Sequence, residues 1–490
     1  MDVGPARWEG TRKGVVNDDI TYPYKYERTS DIGDLRARFD SLEPGEETSE
    51  KVRVAGRAMT VRGQGKAVFA DLRDSTGRIQ LFARQNVIGD EGMESFKAIG
   101  VGDIVGAEGE VMMTRRGELS INVRSVTLLA PALRPMPDTF HGIANVETRY
   151  RQRYLDLLLT EDARRALDGR AKANAAIRSF LEARDFVEVE TPLLQPVASG
   201  ATARPFKTRH NALDIDLYLR VAPELYLKRL LIGGLDRVYE LNRSFRNEGV
   251  SSKANPEFTM LEAYEAYVDY DDTMALVEEL VRAIALAVNG GYEFTAGGQT
   301  IDLAEPFRRM TMFEAITANG GPDLVDVWKA GDYDTIAKEA DRAGVHVDPK
   351  WPPGKVLAGI YESIAERKLL EPTFVVGYPK DVSPLAKDHR STDGFTEQTD
   401  LIIGGVEIAP IYSELNDPAE QRRRFEEQAK QRSSGDEEAM IADEDFLEAL
   451  SYGMPPAGGY GLGVDRLLML LLELPSLREV ILFPTLKPDH

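Results

Sequence analysis

A guanidinium, several carboxylates and aromatic rings recur at alternate positions through residues 237–264, a set suited to a nucleotide bound beside a charged small molecule. Successive side chains of a strand point to opposite faces. Over residues 237–248 this puts Glu240, Asn242, Arg246 and Glu248 on one face and Tyr239, Leu241 and Phe245 on the other. On the returning run, Phe258, Met260, Glu262 and Tyr264 share a face. Two strands joined by a loop of about eight residues would therefore gather these groups on one sheet surface. A guanidinium presents several donors to a phosphate, and an aromatic face is a stacking platform for any base.

A second constellation is Gly459-Tyr460-Gly461-Leu462-Gly463-Val464-Asp465-Arg466, leading into six apolar residues at 467–472. A dinucleotide-binding glycine loop would need a preceding mononucleotide-binding strand and a later ribose-binding acid, and neither is evident. The helix that Arg466 opens is almost uniformly apolar and is expected to be buried. An unpaired buried cation is costly, so Arg466 needs an anion, either a ligand phosphate or a structural carboxylate. Asp400 and Glu407 offer hard oxygen ligands suited to Mg²⁺, although two acids seven residues apart carry little by spacing alone.

The elements that position these groups belong to a 490-residue chain, long enough for two or three domains. Its formal charge of −21 suggests a cytoplasmic protein without nonspecific affinity for polyanions. Cysteine is absent, which excludes disulfides and thiolate chemistry, and the five histidines lack zinc-ligand spacing. No secretory pattern is visible in residues 1–30, and the run 467–472 is too short to span a bilayer, so no membrane association is expected.

Residues 1–48 read as a lead-in and residues 49–130 as a small barrel: strands at 52–57, 67–72, 78–83, 103–113 and 118–129, with a helix at 93–99 before the fourth. That order is the OB type of Greek-key barrel. Residues 51–130 carry 12 Lys/Arg against 9 Asp/Glu, a local reversal of sign that suits a polyanion-binding module. A linker at 131–148 precedes a larger domain at 149–490, with a helical insertion at about 315–370.

With these motifs in order, the chain resembles the class II lysyl-tRNA synthetases of bacterial type from about residue 50 onward. The resemblance implies an α+β fold, an OB-type five-stranded barrel followed by an antiparallel-sheet catalytic domain with flanking helices. Residues 185–192 resemble the first class motif, with Pro192 at a homodimer interface and Asp185 where relatives carry Gly. The hairpin is the second motif. Arg246 would bridge the ATP α-phosphate and the amino-acid carboxylate, Glu248 would accept from the adenine amino group, and Phe258 would stack on its ring. Arg466 of the third motif would hold the terminal phosphate, with Asp400 and Glu407 on Mg²⁺.

Gly200 and Glu224 would hold the α-ammonium of L-lysine. Glu262 and Glu414, assisted by Tyr264 and Tyr412, would hold the ε-ammonium. In the barrel, Phe69 and Gln80 match residues that stack on and read the middle anticodon base of tRNA(Lys), and Glu118 matches a further anticodon contact. Two departures stand out: Lys253-Ala254 where relatives carry Arg-His, and Pro410 where they often carry Asn. Both are expected to weaken ATP or lysine affinity. The implied activity is lysine–tRNA ligation. Alternatives are lysyl transfer to a non-tRNA acceptor and a non-ligating sensor of lysine or nucleotide.

Overall fold

Through residues 67–73, buried and outward side chains alternate with a period of two, as a sheet closed around one core requires. A computed structural model describes residues 22–63, 65–137, 142–433 and 439–488. Helix α1 (Ile32–Phe39) precedes strands β1 (Glu47–Arg62), β2 (Ala67–Arg73) and β3 (Arg78–Arg84). Helix α2 (Gln85–Ala98) and strands β4 (Ile104–Met113) and β5 (Leu119–Ala130) follow. The strands close in the order β1-β2-β3-β5-β4, the five-stranded OB-type barrel expected.

Two details differ from the sequence reading. Helix α2 begins eight residues early, at Gln85, and breaks where Gly89 takes a φ of +77°. The lead-in also contributes to the barrel, because Ile32 and Leu35 of α1 are fully buried in its core. The β2–β3 turn fixes α1 there: Asp74 Oδ2 and Thr76 Oγ1 accept from the backbone N–H of Ile32 and Gly33 at 2.9 and 2.8 Å. Residues 1–21 of the lead-in lie outside the described residues. The chain divides into two compact units between Ala144 and Asn145, inside the expected linker.

The second unit is built on an eight-stranded sheet. In chain order its strands are β6 (Val187–Glu188), β7 (Arg237–Phe245), β8 (Glu257–Ala266), β9 (Arg308–Thr311), β10 (Thr373–Pro379), β11 (Phe395–Ile403), β12 (Val406–Ser413) and β13 (Ala457–Gly463). Across the sheet they run β9-β10-β11-β12-β13-β8-β7-β6. The six central strands are antiparallel, and the two end pairs are parallel.

Helices α3 (Glu161–Glu182), α4 (Glu224–Ile232), α5 (Tyr270–Asn289), α6 (Pro353–Ile364) and α7 (Val464–Leu471) surround it. Helix α5 carries both end signals: a capping box between Asp269 and Asp272, and Gly290 left-handed at its end. One sheet face, with Tyr239, Leu261, Ala263, Leu401, Ile411, Tyr460 and Leu462, packs on apolar residues of α3, α5 and α7. The other face carries the polar groups singled out in the sequence. The expected insertion packs Ile336, Ala340, Leu357 and Ile360 in one buried cluster with Val375 and Tyr378 of β10 and Ile402 of β11. Asp185 follows α3 with a φ of +63°. That conformation favours Gly, and Asp is among the few other residues that tolerate it. Among the described residues, no helix is long and apolar enough to cross a membrane.

Candidate active site

The glycines of β13 make the floor of the site. Gly459 pairs with Tyr412 of β12 on one side and Tyr264 of β8 on the other, and Gly461 pairs with Glu262. A Cβ on Gly459 would stand 2.1 Å from Glu414 Oε1 and 2.6 Å from the Tyr264 ring, and one on Gly461 would stand 2.6 Å from Met260 Cε. Only glycine leaves that volume to the facing side chains. The alternate residues Tyr460 and Leu462 point into the helical core. The Gly-x-Gly-x-Gly run is therefore a strand bare on one face and apolar on the other, followed by a helix, rather than a phosphate-binding loop.

At one end of this floor lies a cleft of about 120 Å³. Arg246, Glu248, Lys253, Phe258, Glu407 and Arg466 line it, and so do the departures Ala254 and Pro410. Strand β7 ends at Phe245, so Arg246 and Glu248 stand on the loop 246–256 rather than on the strand, a correction to the alternation argument. That loop is held by Arg246 N–H to the Pro256 carbonyl at 2.9 Å, and by Leu477 N–H to the Ser252 carbonyl at 2.8 Å. The Arg246 guanidinium lies over the Phe258 ring, 5.2 Å from its centroid, and its buried Nε has no hydrogen-bond partner. Lys253 Nζ reaches the Gly405 carbonyl at 3.4 Å.

Arg466 departs from the sequence expectation. Residues 467–471 of α7 are buried, but the Arg466 side chain is 36% exposed, because the first turn of the helix directs it over the cleft. Its Nη1 lies 3.3 Å from Glu407 Oε1 and donates to the Glu407 carbonyl at 3.0 Å. The anion it meets in this structure is thus the carboxylate alternative. Its neighbour Asp465 is structural, accepting from Thr259 N–H at 2.8 Å and pairing with Arg170.

Asp400 and Glu407 lie on the β11–β12 hairpin, where Asp400 pairs with Pro410 and Ile402 with Glu407. Burial, and then repulsion from Glu407, push the Asp400 carboxyl well up, while Gln398 Nε2 donates to it at 3.3 Å. Glu366, missed in the sequence, is pushed up to about 7 by burial and then by Glu407 and Glu362. Acids that repel one another in a partly enclosed place suit a hard cation. Among the described residues, no group of three or more His, Cys, Asp or Glu could hold a metal ion.

At the other end of the floor is an anionic pocket. Glu224, Glu262, Tyr264 and Glu414 are buried there. Tyr264 donates to Glu262 Oε2 at 3.2 Å. Gly200, at a φ of +95°, abuts Glu224, since a Cβ on it would lie 3.6 Å from the Glu224 Cβ. Glu240 is compensated separately by Arg220 at 2.6 Å and by the Thr191 hydroxyl at 2.6 Å. The sequence reading missed Lys228. This fully buried side chain lies 2.7 Å from Glu224 Oε1 and 2.5 Å from Glu414 Oε2, so one oxygen of each carboxylate already meets a cation. Its signal was the i, i+4 spacing from Glu224 along α4.

In the barrel unit, Phe69 stacks face to face on Phe82, with centroids 4.5 Å apart and planes 5° apart. Arg84 lies over Phe82 at 5.4 Å. Phe82 and Arg84 were not singled out in the sequence, although β2–β3 register places Phe82 opposite Phe69 and Gln80 opposite Asp71. Gln80 is buried and accepts from the Ser120 hydroxyl at 3.1 Å, and Glu118 is exposed and paired with Arg36 at 3.4 Å.

This sheet, glycine floor and paired clefts, together with an OB barrel, define a class II tRNA synthetase. Residues 145–487 match the family of class II tRNA synthetases (D, K and N), and residues 52–129 match the OB-fold nucleic acid binding domain. The lysine–tRNA ligase of Moorella thermoacetica is 49% identical, covering 96% of this chain and 94% of that protein. Those of Idiomarina loihiensis and Gloeobacter violaceus are 49% and 47% identical, covering 96% and 100% of the chain and 93% and 99% of the relatives. The chain belongs to the lysine–tRNA ligase family.

Proposed function

We propose that this chain activates L-lysine with ATP and transfers it to the 3′ end of tRNA(Lys). The observation that carries the reading is the buried pocket of Glu224, Glu262 and Glu414 on the same sheet face as the Arg246–Phe258 cleft. Carboxylates suit the two ammonium groups of lysine and leave an uncharged isostere with unpaired buried acids. The lysine carboxylate attacks the α-phosphorus of ATP in line, forming lysyl-adenylate and releasing pyrophosphate. The terminal ribose hydroxyl of tRNA then attacks the carbonyl carbon of the mixed anhydride, forming the lysyl ester and releasing AMP. Arg246 spans the α-phosphate and the carboxylate, Glu248 and Phe258 hold adenine, and Lys253 and Arg466 meet the distal phosphates. On ATP binding, Arg466 exchanges Glu407 for phosphate. Asp400 and Glu407 would hold Mg²⁺, which supplies positive charge to the triphosphate. Catalysis is positioning and charge stabilisation.

The barrel face of Phe69, Phe82, Gln80 and Glu118 reads the anticodon loop. Pro192 is exposed beside Leu193 and Leu194, which are 47% and 46% exposed, an apolar surface fitted to a second copy in a cytoplasmic homodimer. Amino-acid-dependent ATP–pyrophosphate exchange tests the reading across lysine, arginine, ornithine, aspartate and asparagine. Exchange with lysine alone is expected. Absence of exchange in folded protein with Mg²⁺ would favour a non-ligating sensor.

Two further outcomes follow from the same geometry. Ala254 lines the cleft near Lys253 and Arg466 without offering a hydrogen bond. Ala254→His is therefore expected to lower the KM for ATP about 3- to 10-fold, and steady-state kinetics that show no change would refute the argument from this departure.

The second outcome concerns pH. Burial, then Glu224, holds the Glu262 carboxyl well above its ordinary range, and burial outweighs the pull of Lys228 on Glu414. A raised acid favours the folded state below its unfolded pKa, and that contribution is lost as pH rises through the folded value. Ammonium groups need these acids ionised, so lysine binding releases protons. Its affinity should rise between pH 6 and 8, by up to about tenfold per unit for each proton released. Calorimetry in buffers of different ionisation enthalpy reads the protons, and a pH-independent affinity would contradict this.

A further inference from the structure

Lys228 lies between Glu224 and Glu414 in the anionic pocket. It lies one turn along α4 from Glu224 and is fully buried. Its Nζ is 2.7 Å from Glu224 Oε1, 2.5 Å from Glu414 Oε2 and 3.4 Å from the Leu385 carbonyl. Burial disfavours the ammonium, but the two carboxylates outweigh it and its pKa is raised. Glu414 Oε1 makes no hydrogen bond and lies above Gly459. Glu262 meets the Tyr264 hydroxyl, and Glu240 is already answered by Arg220.

We propose that Lys228 is a positioning and specificity-determining residue, which ties Glu224 to Glu414 and leaves the pocket short of two positive charges. Three buried carboxylates this close cannot all stay ionised without a cation among them. With Lys228 in place, Glu224, Glu262 and Glu414 are neutralised by a ligand that brings two ammonium groups. A ligand with one ammonium leaves a buried acid uncompensated and is rejected. The inference rests on the reading of this pocket as a lysine site. A merely structural ion pair would make the same contacts without bearing on which ligand is chosen.

Pyrophosphate exchange by the full chain separates the two. If the parent protein shows no lysine-dependent exchange, the proposed function fails before this inference is reached. With exchange established, Lys228→Met is expected to raise the KM for lysine about 10- to 100-fold, with the KM for ATP and kcat within about threefold. It should also reduce the preference for lysine over norleucine. In Lys228→Ala, millimolar propylammonium, the severed part of the side chain, should restore the KM in part. A folded Lys228→Met with a lysine KM within about threefold of the parent, or with lysine and ATP KM rising together, would overturn the proposal. Should neither variant fold, Lys228→Arg keeps the charge but not the compact head group. It is expected to raise the lysine KM while preserving the preference over norleucine, and loss of that preference would overturn the proposal.

Discussion

Glu262→Gln is expected to lower kcat/KM for lysine by about 30- to 5,000-fold, the equivalent of about 2–5 kcal/mol, while making the unliganded protein more heat-stable at pH 8. The two effects have one cause. Glu262 is 3% exposed, and the Tyr264 hydroxyl is its hydrogen-bond partner. Its pKa is raised first by burial and next by Glu224, so ionising it near neutral pH works against the empty fold. Gln keeps the shape and an acceptor for Tyr264, but it removes the charge that a substrate ammonium would meet. Calorimetric melting and pyrophosphate exchange on the same preparation check both signs. An activity loss with a lower melting temperature would mean that Glu262 supports the fold rather than the ligand.

Arg246→Ala is expected to lower kcat for adenylate formation about 10²- to 10³-fold, with little change in melting temperature. The Arg246 side chain makes no salt bridge among the described residues, and its buried Nε is unpaired. Its place in the fold is held by the backbone bond to Pro256 and by stacking on Phe258. A donor left unpaired in the empty site is available to charge that develops during the reaction. Arg246→Lys keeps the charge without the planar fork and should recover only part of the rate. Single-turnover adenylate formation measures the step directly. If Arg246→Ala stayed within about tenfold of the parent kcat, the guanidinium would not be the group that stabilises the transferring phosphate.

Much of this architecture is written in local patterns. Alternation through residues 67–72 and 78–83 locates two barrel strands, because a period of two admits one buried face. The same alternation puts Phe258, Met260, Glu262 and Tyr264 on one face of β8, and register with β7 and β13 assembles that face. Arg246, Glu248 and Arg466, which line one cleft, are legible as candidate ligand groups from residue type and motif.

Other features depend on elements that meet only in the folded chain. The charge state of the pocket required α4 to bring Lys228 against Glu414, 186 positions away, and no local periodicity encodes that distance. The partner of Arg466 required β12 beside the start of α7, and its exposure depends on where on the helical turn it falls rather than on the apolar run behind it. The elevated Glu366 required the end of the insertion to approach Glu407. The sequence by itself determined the two folds, the glycine strand and the chemistry available on one sheet face. Tertiary structure decided which charges are already answered inside the protein and which are left for a ligand, because burial and electrostatic pairing act between neighbours in space.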